Sequence, residues 1–130
     1  MAAPDEAPPH PARRRDQLDK LCLFDDHWSP RIAPELNDSY VKLLKVKGEL
    51  LWHRHPEEDE MFLVLRGRLT IRMRDGEDVH LAERGIFVVP RGTEHMPVAN
   101  EEAQVLLVEK KTTVSTWDVE VEGTGPNPWV

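Results

Sequence analysis

Cysteine is almost absent from this 130-residue chain: Cys22 is the only one. That excludes an intramolecular disulfide and fits a reducing cytoplasm. Cys22 sits in the apolar stretch "KLCLF", where a thiol behaves as a small hydrophobe, so we read it as a buried structural residue rather than a nucleophile. Long apolar runs are missing too, none approaching the ~18–20 residues that a membrane span needs. The opening "MAAPDEAPPHPARRRDQ" has arginines but no apolar h-region and does not read as a secretory signal. Positive charge is scarce: the net charge is −7 and "RRR" at 13–15 is the only basic cluster. Without a basic stripe there is little counterion release to offer a nucleic acid. With 39% hydrophobic and 32% charged residues, the expectation is one soluble cytoplasmic domain with neither nucleic acid nor membrane as partner.

Prolines at 4, 8, 9 and 11 and a lack of apolar residues make 1–16 read as a disordered arm, with a single domain over 17–130. His10 reads as a surface residue of that arm. "DQLDKLCLF" fits a short helical turn or a lead-in strand. "DDHWSPRIAPELNDS", punctuated by Pro30 and Pro34, reads as an irregular connection, with His27 and Trp28 packing on the sheet.

From Tyr40 onward the chain turns to short β-rich runs. "SYVKLLKVKGELLWHRH" reads as two strands joined at Gly48, and "EMFLVLRGRLTIRMR" as a hairpin or sharp bend at Arg66–Gly67. "DG" at 75–76 is a strong turn signal before "VHLAERGIFVVP". "HMPVAN" and "AQVLLVEKKTTV" read as two further strands. Leu69, Ile71 and Met73 share one strand face while Arg68, Thr70, Arg72 and Arg74 share the other. With no helical period after residue 40, the fold class is all-β, a sandwich or barrel.

The chemistry concentrates in "LWHRHPEEDEMFLVLRG". His53 and His55 are two apart, so on a strand both project from one face, ~7 Å apart along the chain, and can converge on one ion. Pro56 stops the ladder, Glu57, Glu58 and Asp59 form a polar turn, and Glu60 opens the next strand. A fourth ligand comes from "PRGTEH": Pro90 and Gly92 make a tight turn before His95. Three imidazoles and one carboxylate suit a divalent first-row transition metal, with up to two octahedral positions open. The competing reading is a solvated charged turn. It suits His80, but it does not explain HxH, a strand-start carboxylate and a distant turn-plus-His together.

These residues resemble the two motifs of the cupin superfamily. The first runs G-(x)4-HRH-(x)4-E-(x)6-G from Gly48 to Gly67, and the second G-(x)4-PRGTEH-(x)4-N from Gly85 to Asn100. Both glycine-to-motif gaps are one residue short of the usual spacing, and Asn100 stands one place late. The resemblance implies a jelly-roll β-barrel whose lumen holds one metal ion (iron, manganese, nickel or zinc) on His53, His55, Glu60 and His95. Longer stretches are similar to small single-domain bacterial cupins of the mannose-6-phosphate isomerase-like group. Relatives there tend to read T-V-N-T-G-D near the end, where this chain has "TVSTWD" at 113–118.

Beyond the ligands, the lumen has few candidates. On the strand before Gly48, Tyr40, Lys42, Leu44 and Val46 share a face. Lys42 is either a lumen cation for an anionic substrate or an edge lysine facing water, and Tyr40 is the candidate general acid–base group. Cys22 and Glu109 complete the set. Phe62 and Val64 share parity with Glu60 and should line the lumen; Met61, Leu63 and Leu65 should pack outside. Trp52 points opposite the ligands, and Arg91 faces solvent near the mouth. So apolar an exterior needs cover from the N-terminal segment or a second subunit, and a homodimer is expected. In the tail, at least one of Trp117 and Trp129 is expected to dock on the barrel or a neighbouring subunit. The expected function is a metal-dependent enzyme on a small oxygenated molecule, a sugar or hydroxy-acid isomerase or epimerase, or an iron-dependent dioxygenase. The alternative is a non-catalytic small-molecule-binding or sensor barrel with a structural metal.

Overall fold

Alternating burial writes the strands of this protein, and a long final strand ties them together. The computed structural model describes residues 16–113. The expected disordered arm with His10 and "RRR", and the tail with Trp117 and Trp129, lie outside the described residues. Asp16 caps a short helix α1 (Gln17–Leu21), its carboxylate accepting from the Leu18 and Asp19 backbone N–H groups. Seven strands follow among the described residues: β1 (Arg31–Leu36), β2 (Ser39–Glu49), β3 (Glu60–Arg66), β4 (Leu69–Met73), β5 (Val79–Leu81), β6 (Ile86–Val89) and β7 (His95–Lys110). All pairings between them are antiparallel. This is the all-β fold expected from the short β-rich runs after Tyr40.

The order β1-β2-β7-β3-β6 runs across one sheet, and β4, paired with β5, joins β7 as well. β7 achieves this by serving different neighbours along its length. Met73 to Thr70 of β4 face His95 to Val98, whereas β3 faces 104–109. The change falls where β2 is bulged between Val46 and Gly48, and a bulge bends and twists a strand. The bend turns β4 and β5 over the inner face. Leu44, Val46, Phe62, Val64, Leu69, Ile71, Leu81, Val89, Val105 and Leu107 then meet in one core. As expected, Phe62 and Val64 are buried, and Met61, Leu63 and Leu65 are half-buried on the other side.

Several expectations are corrected. "RIAPEL" is strand β1, not an irregular connection. Pro34 is tolerated because β1 pairs only with β2 and its register shifts between Ile32 and Glu35, the edge-and-bulge setting where a missing N–H costs least. The β1–β2 turn uses Asn37 at φ 52°, a conformation asparagine accepts readily. Gly48 does not divide two strands, since β2 runs through it to Glu49. "HMPVAN" and "AQVLLVEKK" form one strand rather than two. β3 and β4 do not pair with each other, so Arg66–Gly67 is the sharp bend of the two options. Gly67 has φ 84°, and a Cβ there would lie 3.0 Å from the Glu102 carbonyl oxygen, so only glycine fits without strain. The 75–76 turn does connect the β4–β5 hairpin, in which Leu69 faces Leu81.

Cys22 is exposed, against expectation. The helical turn that buries Leu21 completely rotates the next residue by ~100°, away from the core. Leu21 and Phe24 nevertheless seal part of the outer face, packing with Ala33, Leu43, Leu65 and Leu106. The N-terminal segment thus supplies some of the expected cover, while Ile86 and Val88 of β6 remain exposed.

Candidate metal centre

Two loops far apart in sequence are sewn together at one end of the core. His53 and His95 exchange both backbone hydrogen bonds, at 3.0 and 2.9 Å. The Gly92 N–H donates to the His55 carbonyl at 2.8 Å, with Gly92 in the left-handed region at φ 77°. Asp59 accepts from the Arg91 backbone N–H at 2.8 Å, a bond that holds its carboxyl below the usual carboxylate range. This stitching places the histidines of the first loop beside that of the second. Glu60 begins β3 and His95 begins β7, so both side chains leave rigid strand ends.

The four expected ligands come together. His53, His55, Glu60 and His95 are all buried, and one donor atom from each lies within 4.8 Å of the others. Glu60 Oε1 is 3.5 Å from both His55 Nε2 and His95 Nε2, and none of these three atoms has a hydrogen-bond partner. Two ligands ~2.1 Å from a shared ion stand ~3.0 Å apart at an octahedral cis angle and ~3.4 Å at a tetrahedral one. The two 3.5 Å separations match ligands that share one ion. Buried polar atoms left unsatisfied cost ~1–3 kcal/mol each, so the cluster fits a divalent cation and is poorly explained as a charged turn.

The outer hydrogen bonds prepare the imidazoles for this role. His53 Nδ1 donates to the Leu51 carbonyl and His95 Nδ1 to the Thr93 carbonyl, both at 2.9 Å. A carbonyl only accepts, so each Nδ1 carries the proton and each Nε2 keeps its lone pair for the interior. Burial lowers the His53 pKa to about 4, which leaves the ring neutral at neutral pH, the form that binds metal.

The carboxylate is supported from behind. The β2–β7–β3 register sets Tyr40 opposite Glu109 and Glu109 opposite Glu60, on the face that also carries Lys42. Lys42 Nζ donates to Glu109 Oε1 at 2.7 Å, with both side chains buried. Glu109 in turn hydrogen-bonds Glu60. Burial would raise the Glu60 pKa, but His55, His95 and Glu109 outweigh it and hold the carboxyl well below its ordinary value. Burial, with the Glu60 charge and hydrogen bond beside it, pushes Glu109 well above its own despite Lys42. The two shifts run in opposite directions, Glu60 toward the carboxylate and Glu109 toward the protonated form.

Of the non-ligand candidates, Lys42 lies inside the barrel and is committed to Glu109. Tyr40 is half-buried, with Lys111 Nζ 5.2 Å and Lys42 Nζ 6.0 Å from its ring centroid. Glu109 proves central, and its parity with Val105 and Leu107 in "VLLVEKK" is the signal that places it inside. Trp52 lies outside under the Arg74 guanidinium, 3.9 Å from the ring centroid. His27 and Trp28 pack by polar contacts: His27 Nε2 meets Glu102 at 2.8 Å and the Trp28 indole N–H donates to the Lys47 carbonyl. His80 is exposed and meets only the Thr70 hydroxyl among the contacts resolved.

Comparison with known proteins agrees with this fold. A cupin-2 domain containing protein from Shewanella frigidimarina NCIMB 400 is 42% identical, with a TM-score of 0.72 over 75% of this chain and 94% of that one. NMB1881 from Neisseria meningitidis, 22% identical, shares the fold with a TM-score of 0.70 over 76% of this chain and all of that one. The uncharacterized protein YdbB of Bacillus subtilis (strain 168) is 33% identical over 87 residues, 59% of this chain and 77% of that protein. The family model described as "Cupin domain" matches residues 40–109, a stretch that holds all four candidate ligands, and the chain belongs to the cupin family.

Proposed function

We propose that this cupin is a metal-dependent enzyme acting on a small oxygenated molecule, either a sugar or hydroxy-acid isomerase or epimerase, or a dioxygenase. The observation that carries the reading is the convergence of buried, unpartnered His55 Nε2, His95 Nε2 and Glu60 Oε1, with His53 completing the set. When bound there, a divalent ion supplies Lewis acidity toward a substrate oxygen and, if it is iron, redox chemistry with dioxygen. His53, His55, Glu60 and His95 would hold it. Phe62, Val89 and Leu107 belong to the apolar core, and the Phe62 ring centroid lies 6.3 Å from that of His95. Tyr40 is the proposed proton-transferring group, at the Glu60 end of the inner face. Lys42 is already bonded to Glu109, which disfavours a strongly anionic substrate such as a phosphosugar. The overall charge of −7 points the same way.

One observation favours a second reading, a non-catalytic binding or sensor barrel. His53, His55, Glu60 and His95 are at most 5% exposed, and closed coordination is typical of structural ions.

Elemental analysis of protein purified without chelator, beside a His53→Ala/His95→Ala variant, tests the site itself. Near-stoichiometric metal lost in the variant supports it, and equal metal content in both proteins refutes it. Azide added to the cobalt-loaded protein then separates the readings. A changed visible spectrum means an open position and supports the enzyme; an unchanged one supports the structural ion. The proposal includes a homodimer, because edge strand β6 leaves Ile86 and Val88 59% and 47% exposed; sedimentation as a monomer at micromolar concentration would exclude the dimer.

A further inference from the structure

Glu60 is the one carboxylate among the four candidate ligands, and two buried residues, Glu109 and Lys42, lie behind it. Its Oε1 faces the imidazoles of His55 and His95 and makes no hydrogen bond, so its other oxygen is the one available to Glu109. A glutamate at a strand end has several rotatable bonds, and holding one oxygen on a target requires a grip on the other. Glu109 faces Glu60 directly across the β3–β7 ladder. It is fixed in turn by Lys42, which reaches diagonally from β2 with its Nζ 2.7 Å away. Lys42 and Glu109 are 4% and 3% exposed. Burying two such groups is expensive, and well-packed apolar residues in their place are often as stable or more so. Fold stability is therefore a poor reason for the pair to exist.

We propose that Lys42 and Glu109 are positioning residues, a hydrogen-bonded brace that holds Glu60 Oε1 toward the three imidazoles and so sets metal affinity and geometry. The inference rests on the metal reading above. The brace spans three adjacent strands, β2, β7 and β3, and the ligand face is aligned only where their registers agree. Lys42 contributes to the centre without touching substrate or ion.

The test uses the full-length protein stripped of metal and titrated with Co2+, read by its visible absorption and by equilibrium dialysis, with a metal-free thermal melt for every variant. Lys42→Met/Glu109→Leu removes the brace without leaving a lone buried charge. Its affinity should fall ~10–100-fold, the usual effect of losing a partner behind a ligand, and its spectrum should change in shape. Glu109→Gln keeps the shape and can still make one bond to each neighbour, so it should retain the wild-type spectrum with affinity within a few-fold. A purely structural pair would move the melts and leave spectrum and affinity alone, and that result overturns the brace. So does a Glu109→Gln variant whose spectrum differs from wild type, an outcome readable even if the double variant fails to fold. If wild type and His53→Ala/His95→Ala bind Co2+ equally, the metal reading falls and the brace with it. A wild type that binds at the histidines beside braceless variants that bind identically refutes the brace alone.

Discussion

Lys42 and Lys45 lie on the same strand with nearly equal burial, 4% and 7% exposed, yet they do different work. Lys42 points into the barrel and donates to a carboxyl that itself holds a ligand. Lys45 points outward beneath the N-terminal segment, where its Nζ donates to the Phe24 carbonyl at 2.6 Å and lies 3.8 Å from exposed Asp25. One lysine fastens a site and the other fastens a connection. A buried cation is thus not by itself a functional mark: its partner's partner decides. A carboxylate facing three lone pairs points to an ion, whereas a backbone carbonyl points to packing.

That contrast predicts a division of labour between the two faces of the sheet, and substitutions can break it. The largest effect belongs to the inner face. His53→Ala/His95→Ala should abolish near-stoichiometric metal binding, measured by elemental analysis after equilibrium dialysis. Retained binding would move the site elsewhere.

At the bend between β3 and β4, Gly67→Ala should destabilise the metal-free protein by about 3 kcal/mol. It combines a positive φ with a Cβ set against the Glu102 carbonyl, and strain of this kind reaches about 3 kcal/mol. A urea midpoint equal to wild type would show that the bend relaxes.

Lys45→Met on the outer face should cost about 1–2 kcal/mol by leaving the Phe24 carbonyl without its donor. Metal affinity should stay unchanged, and a loss of affinity would erase the distinction between the two lysines. Smallest is Arg74→Ala, which removes the cation–π contact with Trp52 and the 2.7 Å ion pair with Glu94. Both are exposed, so the cost should be about 0.5–1 kcal/mol, seen as a small shift in midpoint with metal content unaltered.

Much of the centre was legible because its information is local. HxH two apart, a carboxylate opening a strand and a turn-plus-His are short patterns whose geometry follows from strand periodicity and turn chemistry. The inner set of β3 and β4 followed from the same alternation. Strand β1 was obscured by Pro34, which argues against a strand unless the strand is known to be an edge with a bulge. The single span of β7 was obscured by the polar residues Asn100 to Glu102, exposed at its bend. Cys22 followed its apolar neighbours by composition, but helix rotation sent it outward.

The alternation that makes this an all-β chain, the turns at 75–76 and 90–92, and the four candidate ligands are all readable from short stretches of sequence. Each depends on residues a few positions apart, within reach of local backbone geometry. The pairing of distant strands alone puts Tyr40, Glu109 and Glu60 in one row and sets Lys42 against Glu109. Those relations depend on register between strands some 50 to 70 positions apart in the chain. Register is fixed by the whole set of side chains that must be buried together, and no single segment contains that information.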